Sequence, residues 1–568
     1  MQNQQIADIL DEIAEMLEIS EGNFFRVRAY RNAARTVRDC STQLSEMSPE
    51  AIRELPGIGE DLAGKLETLV KTGELGLHRE LSRKVSTGLV ELLRLPGLGP
   101  KRVRALHEKL GVRDPATLRA ALESGAVAKL EGFGAKLQQR LLQHLAVLEA
   151  KPAKRLRYVD AEPIVEQLFT HMRSSRAVSR LEMVGSFRRK KETVGDLDVI
   201  AVSSRSSAVT DRLLSFPAVA EVLARGESKT SVVLNNHLQV DLRVFAPKSY
   251  GAAMVYFTGS QAHCVHLRRI AQHQGLLLNE YGLYRGGKAV AGKDEEQIYA
   301  ALGMGWIAPE LREDRGEIEA AQAGKLPKLI ERDDLRGDLH SHTTWTDGRA
   351  TLEEMAGAAR DRGLEYLAVT DHSRRLAMAH GLDPHRLREQ WREIEQVEAR
   401  VGKIKLLRGI EVDILEDGSL DLPDETLAEL DWVVASVHYK LDQGAKLMTK
   451  RLIRAIRNPH VDVIGHPSTR LINHREPSNF DFGEILRAAR EEGCALEINS
   501  QPDRLDLNDT ACLAAKQAKV RLVVSSDAHH PRDFAVLEYG VNQARRGWVE
   551  PADVLNTRPL KQFLSLRR

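Results

Sequence analysis

From residue 336 onward, short apolar segments alternate with helix-like ones, and most of the apolar segments run out into histidines and carboxylates. They read LEYLAVTD, KLLRGIEVDI, DWVVASVH, VDVIGHP, CALEINS and VRLVVSSDAH. Such alternation predicts a parallel β/α barrel or sheet, since parallel strands need crossover connections that are usually helical. His340 and His342 are two residues apart, so a strand end carries both imidazoles on one side, a frequent metal-binding geometry. Asp347, His372, Glu411, His438, His466, Asp527 and His529 follow at the other segment ends, where catalytic groups of β/α barrels collect. A single one of these, such as His466 before Pro467, reads as an ordinary structural histidine. The full set of nine reads as a metal centre.

A chain of 568 residues is too long for one core, because single domains rarely exceed about 250–300 residues. Three or four units are expected. The formal net charge of +1 says nothing about partners, yet residues 81–159 alone carry about +10. Cys40, Cys264, Cys494 and Cys512 lack CxxC spacing, which argues against a thiolate zinc site or a disulfide framework. No apolar run approaches the roughly 18–20 residues of a membrane span, so no membrane partner is expected. The N-terminal MQNQQIADILDEIAEML is acidic and amphipathic and lacks a signal peptide's basic start, which fits a cytoplasmic, nucleoid-associated protein.

Residues 1–150 read as helices, with Ile6, Ile9, Leu10, Ile13 and Leu17 at helical spacing. LPGIGEDLAGKL (55–66) and LPGLGPKRVRAL (95–106) repeat one pattern, and LEGFGAKLQQRL (130–141) is a weaker third copy. Gly57, Gly59, Gly97 and Gly99 stand at helix entries, where glycine admits close approach and the helix N-terminus offers free N–H donors to phosphate. The pattern resembles the helix-hairpin-helix motif, which holds DNA backbone without reading sequence.

From about residue 180, LEMVGSF, DLDVIAV, TSVVLN and HLQVDLRVF read as strands. Asp196 and Asp198 share one face of a strand, and Asp241 in VDLRV is placed to join them. Three carboxylates so gathered repel unless they share cations, and they suffice for two magnesium ions. Gly185, Ser186 and Arg189 in GSFRR, with Gly195 before the aspartates, form a turn suited to nucleotide phosphates. Residues 309–335 are polar and charged and read as a linker with some helix.

The GSFRR and GDLD segments resemble the nucleotidyltransferase palm of DNA polymerase beta and its family X relatives, over essentially residues 1–316. The resemblance implies that Tyr256 and Phe257 of YFTGS lie against the incoming sugar, that Gly259 belongs to the same nucleotide-binding segment and that Arg268 meets the template; NEY (279–281) is a further match. Where the family has an asparagine at the base edge, this chain has Cys264, a poor hydrogen-bonding substitute. Lys65 falls at the nucleophilic lysine of the family's deoxyribose-phosphate lyase domain, with Tyr30 and Arg26 at supporting positions, but Asp61 replaces a usual lysine. A surface lysine on a DNA-binding helix is the equal alternative.

The second half resembles the polymerase-and-histidinol-phosphatase (PHP) family, which implies a distorted (β/α)7 barrel and three metal ions. Carried across, His340, His342, Glu411 and Asp527 bind one ion, Asp347, His372 and His529 the second, and His438, His466 and the shared Glu411 the third. Mixed nitrogen and oxygen ligands suit Mn2+, Zn2+ or Fe2+ there, against Mg2+ or Mn2+ at the polymerase aspartates. Asp338 and Asp371 are expected to orient ligands.

The expected fold is multidomain: a helical N-terminal region, an α+β palm with thumb, and the barrel. The expected boundaries are an 8-kDa-like domain (1–80), fingers (81–150), palm (151–246), thumb (247–316), linker (317–335) and barrel (336–568). The expected activity is gap-filling DNA polymerisation from dNTPs on gapped or nicked DNA, by a monomer whose barrel acts as a 3'-5' exonuclease or other 3'-end phosphoesterase, or as an abasic endonuclease. The alternative is a DNA-binding scaffold carrying a small-molecule phosphatase.

Overall fold

A computed structural model describes residues 3–20, 24–40, 44–93, 95, 97–134, 137–139, 141–142, 145 and 155–567. They belong to two compact units, Met1–Ala153 and Lys154–Arg568. The expected boundary at 150/151 lies outside the described residues.

The first unit is helical. Helix Asn3–Ile19 buries Ile6, Leu10, Ile13 and Leu17 along one stripe, against helix Phe24–Asp39. Its helices are bounded by local chemistry: Ser48 and Ser86 accept hydrogen bonds from the first turns of their helices, and Gly73 and Gly111 close others in the left-handed conformation.

The second unit begins with a five-stranded sheet of β1 (Arg180–Met183), β2 (Asp196–Val202), β3 (Val219–Arg225), β4 (Lys229–Leu234) and β5 (Gln239–Phe245), in the order β1-β2-β5-β4-β3. Only the β2–β5 pair is parallel. Helices Tyr250–Thr258 and Gln261–His273 and a small antiparallel sheet follow, over a core that includes Leu267, Leu283, Ile298 and Ile307.

Seven parallel strands then run in chain order: β6 (Gly337–Asp338), β7 (Tyr366–Val369), β8 (Lys405–Asp413), β9 (Trp432–Ser436), β10 (Val463–Ile464), β11 (Ala495–Asn499) and β12 (Leu522–Ser525). A parallel bridge between Ser341 and Ala528 brings the first strand's extension to the last, so the sheet nearly closes into a (β/α)7 barrel. Alternate residues serve two apolar clusters, Leu367 and Val369 in one, Tyr366 and Ala368 in the other. Phe563 of the last helix stacks on Tyr366 at 5.0 Å. No helix among the described residues is long and apolar enough to cross a membrane.

The stretch 309–335 does contain helix, Glu317–Gln322, but it is not the solvated linker its polarity predicts. Glu310, Arg312 and Glu317 are buried, each against a partner: Arg545, Glu295 and His263. Polarity misled because these charges are matched inside the protein instead of by water. Glu295 is the hub. It receives both nitrogens of Arg188 at 2.8 and 2.7 Å, Arg312 at 2.6 Å and the Trp306 indole at 3.2 Å. Burial opposes its charge, but Arg312 and Arg188 together hold its pKa down at about 2. Glu295→Ala strands the buried guanidinium of Arg312 and the half-buried one of Arg188 and should destabilise this unit by about 3–5 kcal/mol, read as a lowered urea midpoint. An unchanged midpoint would show that the hub carries no stability.

Candidate active sites

The parallel register of β2 and β5 sets Asp198 directly opposite Asp241, and Asp196 opposite Gln239. Asp196 is exposed, Asp198 half-buried and Asp241 buried. The three expected aspartates therefore share one face of two neighbouring inner strands. Burial, then the neighbouring Asp196 and Asp241, push the Asp198 pKa up to about 7. Asp196 is raised too, by partial desolvation where its carboxyl adjoins the other two, although the residue as a whole is exposed, and by Asp241. Asp241 goes the other way: burial opposes its charge, but Lys229 at 2.7 Å, Ser231 and Gln239 at 2.9 Å lower its pKa. Crowded carboxylates whose pKa values rise are a site that fits a divalent cation.

Gly185 has to be glycine. Its φ is +62°, and a Cβ there would lie 2.5 Å from the Asp198 Oδ2. The short helix Gly185–Arg188 thus starts against the aspartates, with Ser186 half-buried in its first turn. Gly195 is held less strictly, since a Cβ would meet only Arg155 Nη1, at 2.8 Å, the far end of a side chain that can swing aside. Arg189 departs from expectation. Its guanidinium donates to Glu313 at 3.0 Å and to the Thr258 carbonyl at 2.7 Å, so in this structure a buried carboxylate takes the charge that was expected to face phosphate.

Tyr256 and Phe257 end the helix Tyr250–Thr258, and Gly259 caps it, packed so tightly that a Cβ would lie 2.8 Å from the His263 ring. Phe257 lies under Arg243, 4.4 Å from ring centre to guanidinium, on the strand that carries Asp241. Arg268 sits 5.6 Å over Tyr256. Cys264 turns its thiol into the protein. It is buried, its Sγ donates to the Tyr256 carbonyl at 3.2 Å, and burial pushes its pKa up to about 11.

In the helical unit, Gly57 and Gly97 take φ of +76° and +95°, and Gly59 and Gly99 are N-caps of helices Glu60–Thr72 and Pro100–Leu110 with nearly equal φ and ψ. Gly59 and Gly99 adopt extended angles open to any residue, and nothing lies within 4 Å of a Cβ at either. The chain itself does not demand glycine at those two positions, whereas a phosphodiester lying close against the helix ends would. Arg102 ties the second copy to the third through the carbonyls of Gly97 (2.8 Å) and Gly132 (3.1 Å). Ala135, Lys136 and Arg140 of the third copy lie outside the described residues. Lys65 lies 5.4 Å over the Tyr30 ring and pairs with Asp61 at 2.5 Å. Burial works to lower its pKa, but Asp61 and Tyr30 outweigh it and raise it. The lowered pKa that an amine nucleophile requires is absent.

At the barrel mouth all nine expected side chains converge. Glu411 is the centre: its Oε2 lies 3.4 Å from His340 Nε2, 3.6 Å from His342 Nε2 and 2.8 Å from His372 Nδ1. Its Oε1 lies 3.3 Å from His438 Nε2 and 2.9 Å from His466 Nε2. Asp527 Oδ1 is 3.2 Å from His342, and Asp347 Oδ2 is 3.4 and 3.5 Å from His372 and His529. Three overlapping groups have ligand-like spacing: His340, His342 and Asp527; His342, Asp347, His372 and His529; and His372, Glu411 and His438. His342 and His372 each belong to two groups, so the division into ligand sets is less sharp than expected.

His342 is fully buried and neither ring nitrogen has a hydrogen-bond partner; His340 Nε2 is likewise bare. Burial, then His529 and His372, push the His342 pKa down to about 3, which keeps it neutral. Buried, neutral, unpartnered imidazole beside carboxylates fits a metal ligand. His466 and Asp527 also hold positive φ (29° and 52°), a strained backbone that is found at functional sites.

Asp371 and Asp338 do not reach the cluster's centre. Asp371 holds the loop through Thr343 (2.6 Å) and Thr346 (2.5 Å), and Asp338 accepts from the backbone of Ser526 (3.1 Å). Glu497 and Asp413 were not foreseen: they meet the Nδ1 atoms of His340 (2.7 Å) and His438 (3.1 Å) and fix those rings. Glu497 lies two residues inside its strand's end, which is why a reading of strand ends missed it.

The sequence matches the DNA polymerase beta thumb over residues 253–313, a helix-hairpin-helix domain over 1–75, a SAM-like helix-hairpin-helix tandem over 89–146 and a PHP domain over 338–501. It is 36% identical over 565 residues to the DNA polymerase/3'-5' exonuclease PolX of Bacillus subtilis, covering 99% of this chain and 98% of that protein. It is also 31% identical over 245 residues to a probable phosphatase of Thermoanaerobacter sp., covering 41% of this chain and 95% of that protein. A probable phosphatase of Vibrio parahaemolyticus is 31% identical over 250 residues, again 41% of this chain and 95% of its own.

A divalent cation bound at the palm must displace the proton that Asp198 retains below about pH 7. Cation affinity should therefore rise with pH and level off above that value. At pH 6, cation binding by the wild type should release about one proton more than binding by Asp198→Asn. Calorimetry in two buffers of different ionisation enthalpy measures the difference, and equal release would refute the assignment.

Proposed function

The chain belongs to the bacterial family X DNA polymerases that carry a C-terminal PHP domain, and on that footing we propose that it fills short gaps in damaged DNA and trims 3' ends. The observation that carries the reading is the register of Asp198 against Asp241 beneath a turn whose glycine leaves room for nothing larger. A scaffold has no use for three aspartates crowded so closely that two of them resist giving up their protons.

Asp196, Asp198 and Asp241 are proposed to hold Mg2+ or Mn2+, and the nine barrel residues Mn2+, Zn2+ or Fe2+. When bound, these cations supply the positive charge that phosphoryl transfer needs in the palm and a hydrolytic nucleophile from water in the barrel. The chain's own residues do the rest. Lys229 keeps Asp241 ionised, while Asp198 stays poised between its two forms near neutrality. The Gly185 turn supports the triphosphate, Tyr256 and Phe257 face the sugar, and Arg268 meets the template from its place on Tyr256. Gly57, Gly59, Gly97 and Gly99 seat the DNA backbone without regard to sequence. In the barrel, Glu497 and Asp413 hold His340 and His438 in fixed tautomers, and the buried His342 and Glu411 exclude bulk water from the floor.

The domain division proposed is a DNA-binding helical region to about residue 150, then palm, thumb and barrel, working in the cytoplasm on nucleoid DNA. Relatives named probable phosphatases, which match 41% of this chain over 95% of their own length and are thus about the size of the barrel, support phosphoester hydrolysis there.

Purified protein given Mg2+ or Mn2+ and dNTPs should extend a primer across a short gap. Asp198→Ala should lower extension by about a hundredfold or more and leave 3' degradation intact, while His342→Ala should do the reverse. Joint loss of both activities in either variant would end the two-site reading.

A further inference from the structure

The segment that joins the Gly185 turn to the aspartates has little structure of its own. After helix Gly185–Arg188 it passes through Lys190 at φ +56° and reaches the two-residue strand Thr193–Val194. Its internal bonds are few, among them Lys190 N–H to the Phe187 carbonyl (3.0 Å) and Lys191 N–H to the Ser186 carbonyl (3.1 Å). Tyr158 N–H to the Glu192 carbonyl (2.9 Å) and pairing of Thr193–Val194 with Leu156–Arg157 anchor one end, and barrel side chains hold the rest from outside.

Arg546 donates to the Arg189 main-chain carbonyl at 2.7 Å and to Glu313 at 3.1 Å, and its other terminal nitrogen reaches Asp509 at 2.5 Å. Arg470 clasps both oxygens of Glu192, at 3.2 and 2.6 Å. A third hold is indirect: Asn473 bonds the Arg155 carbonyl at 2.9 Å, and Arg155 bonds the Thr193 carbonyl at 3.0 Å while lying against Gly195. Arg470 and Arg546 are almost wholly buried, so both guanidinium groups have exchanged water for these partners. A tether between two independent enzymes requires neither that burial nor a bond to the turn's own backbone.

We propose that the barrel domain is a positioning element of the polymerase site, with Arg546 and Arg470 as positioning residues that hold segment 189–193 in the shape nucleotide binding needs. The proposal rests on the polymerase reading above. It assigns the barrel a role in synthesis distinct from that of its metal centre, since a guanidinium is a cation without an acceptor and neither arginine can ligate a metal.

The test is steady-state kinetics on the full chain, with primer extension and 3' degradation measured side by side. Arg546→Ala should raise the KM for dNTP about tenfold, with kcat changed no more than about threefold, since a displaced turn weakens seating of the triphosphate first. Arg546→Lys should recover part of that loss, and 3' degradation should stay within about twofold of wild type. Glu192→Gln, at a partly exposed position, repeats the test in case Arg546→Ala folds poorly, and should raise KM about threefold. Wild-type KM for dNTP in folded Arg546→Ala overturns the proposal. So does proportional loss of both activities in Arg546→Ala with wild-type KM in Glu192→Gln. A wild-type chain unable to extend a primer at all would instead sink the polymerase reading, a separate outcome.

Discussion

Charge taken out of water has to be matched, and the ways this chain matches it set most of what the structure can do. A buried ion without a partner is costly enough that proteins either pair it, hand it to a metal or shift its pKa until it disappears. All three solutions are present. Glu295 is paired with Arg188 and Arg312, Asp198 holds its proton up to about pH 7, and the barrel mouth packs imidazoles against Glu411 and Asp527 with ring nitrogens left bare. The first solution builds the scaffold, and the other two mark the places where a cation belongs.

The two sites reach that condition by different routes. In the palm, one parallel strand pair brings two acidic strands into register, so a single backbone decision places the triad. In the barrel the ligands come from separate strands, and closure of the sheet through Ser341 and Ala528 is what lets the first and last strands supply the same cluster. The palm triad depends on register, the barrel cluster on topology. Substitutions in the cores should accordingly reach the two sites unequally, because a slip in β5 moves Asp241 while leaving every barrel ligand where it was.

Between the sites lies the region where polarity was most misleading. Glu310, Arg312, Glu313 and Glu317 look like the charges of a solvated linker, and in the folded protein each is buried or nearly so against an opposite charge or a histidine. Arg189 belongs to the same pattern. It stands in a phosphate-like turn, yet Glu313 claims its guanidinium. A sequence states that a residue is charged but not which distant residue will share its desolvation.

Local chemistry was legible in the chain: the helical stripe of Ile6, Leu10, Ile13 and Leu17, the glycine-led helix entries, the strands bearing Asp196, Asp198 and Asp241, and histidines at the ends of parallel strands. These follow from periodicity and from residue types with few alternatives, which are properties of neighbours along the chain. Folding alone settled that Glu497 and Asp413 fix His340 and His438, that Cys264 turns inward to the Tyr256 carbonyl, that Lys65 pairs with Asp61 over Tyr30, and that Arg470 and Arg546 reach the palm. Most of those contacts join residues far apart in sequence, and all of them depend on where burial removes water, which no local pattern encodes.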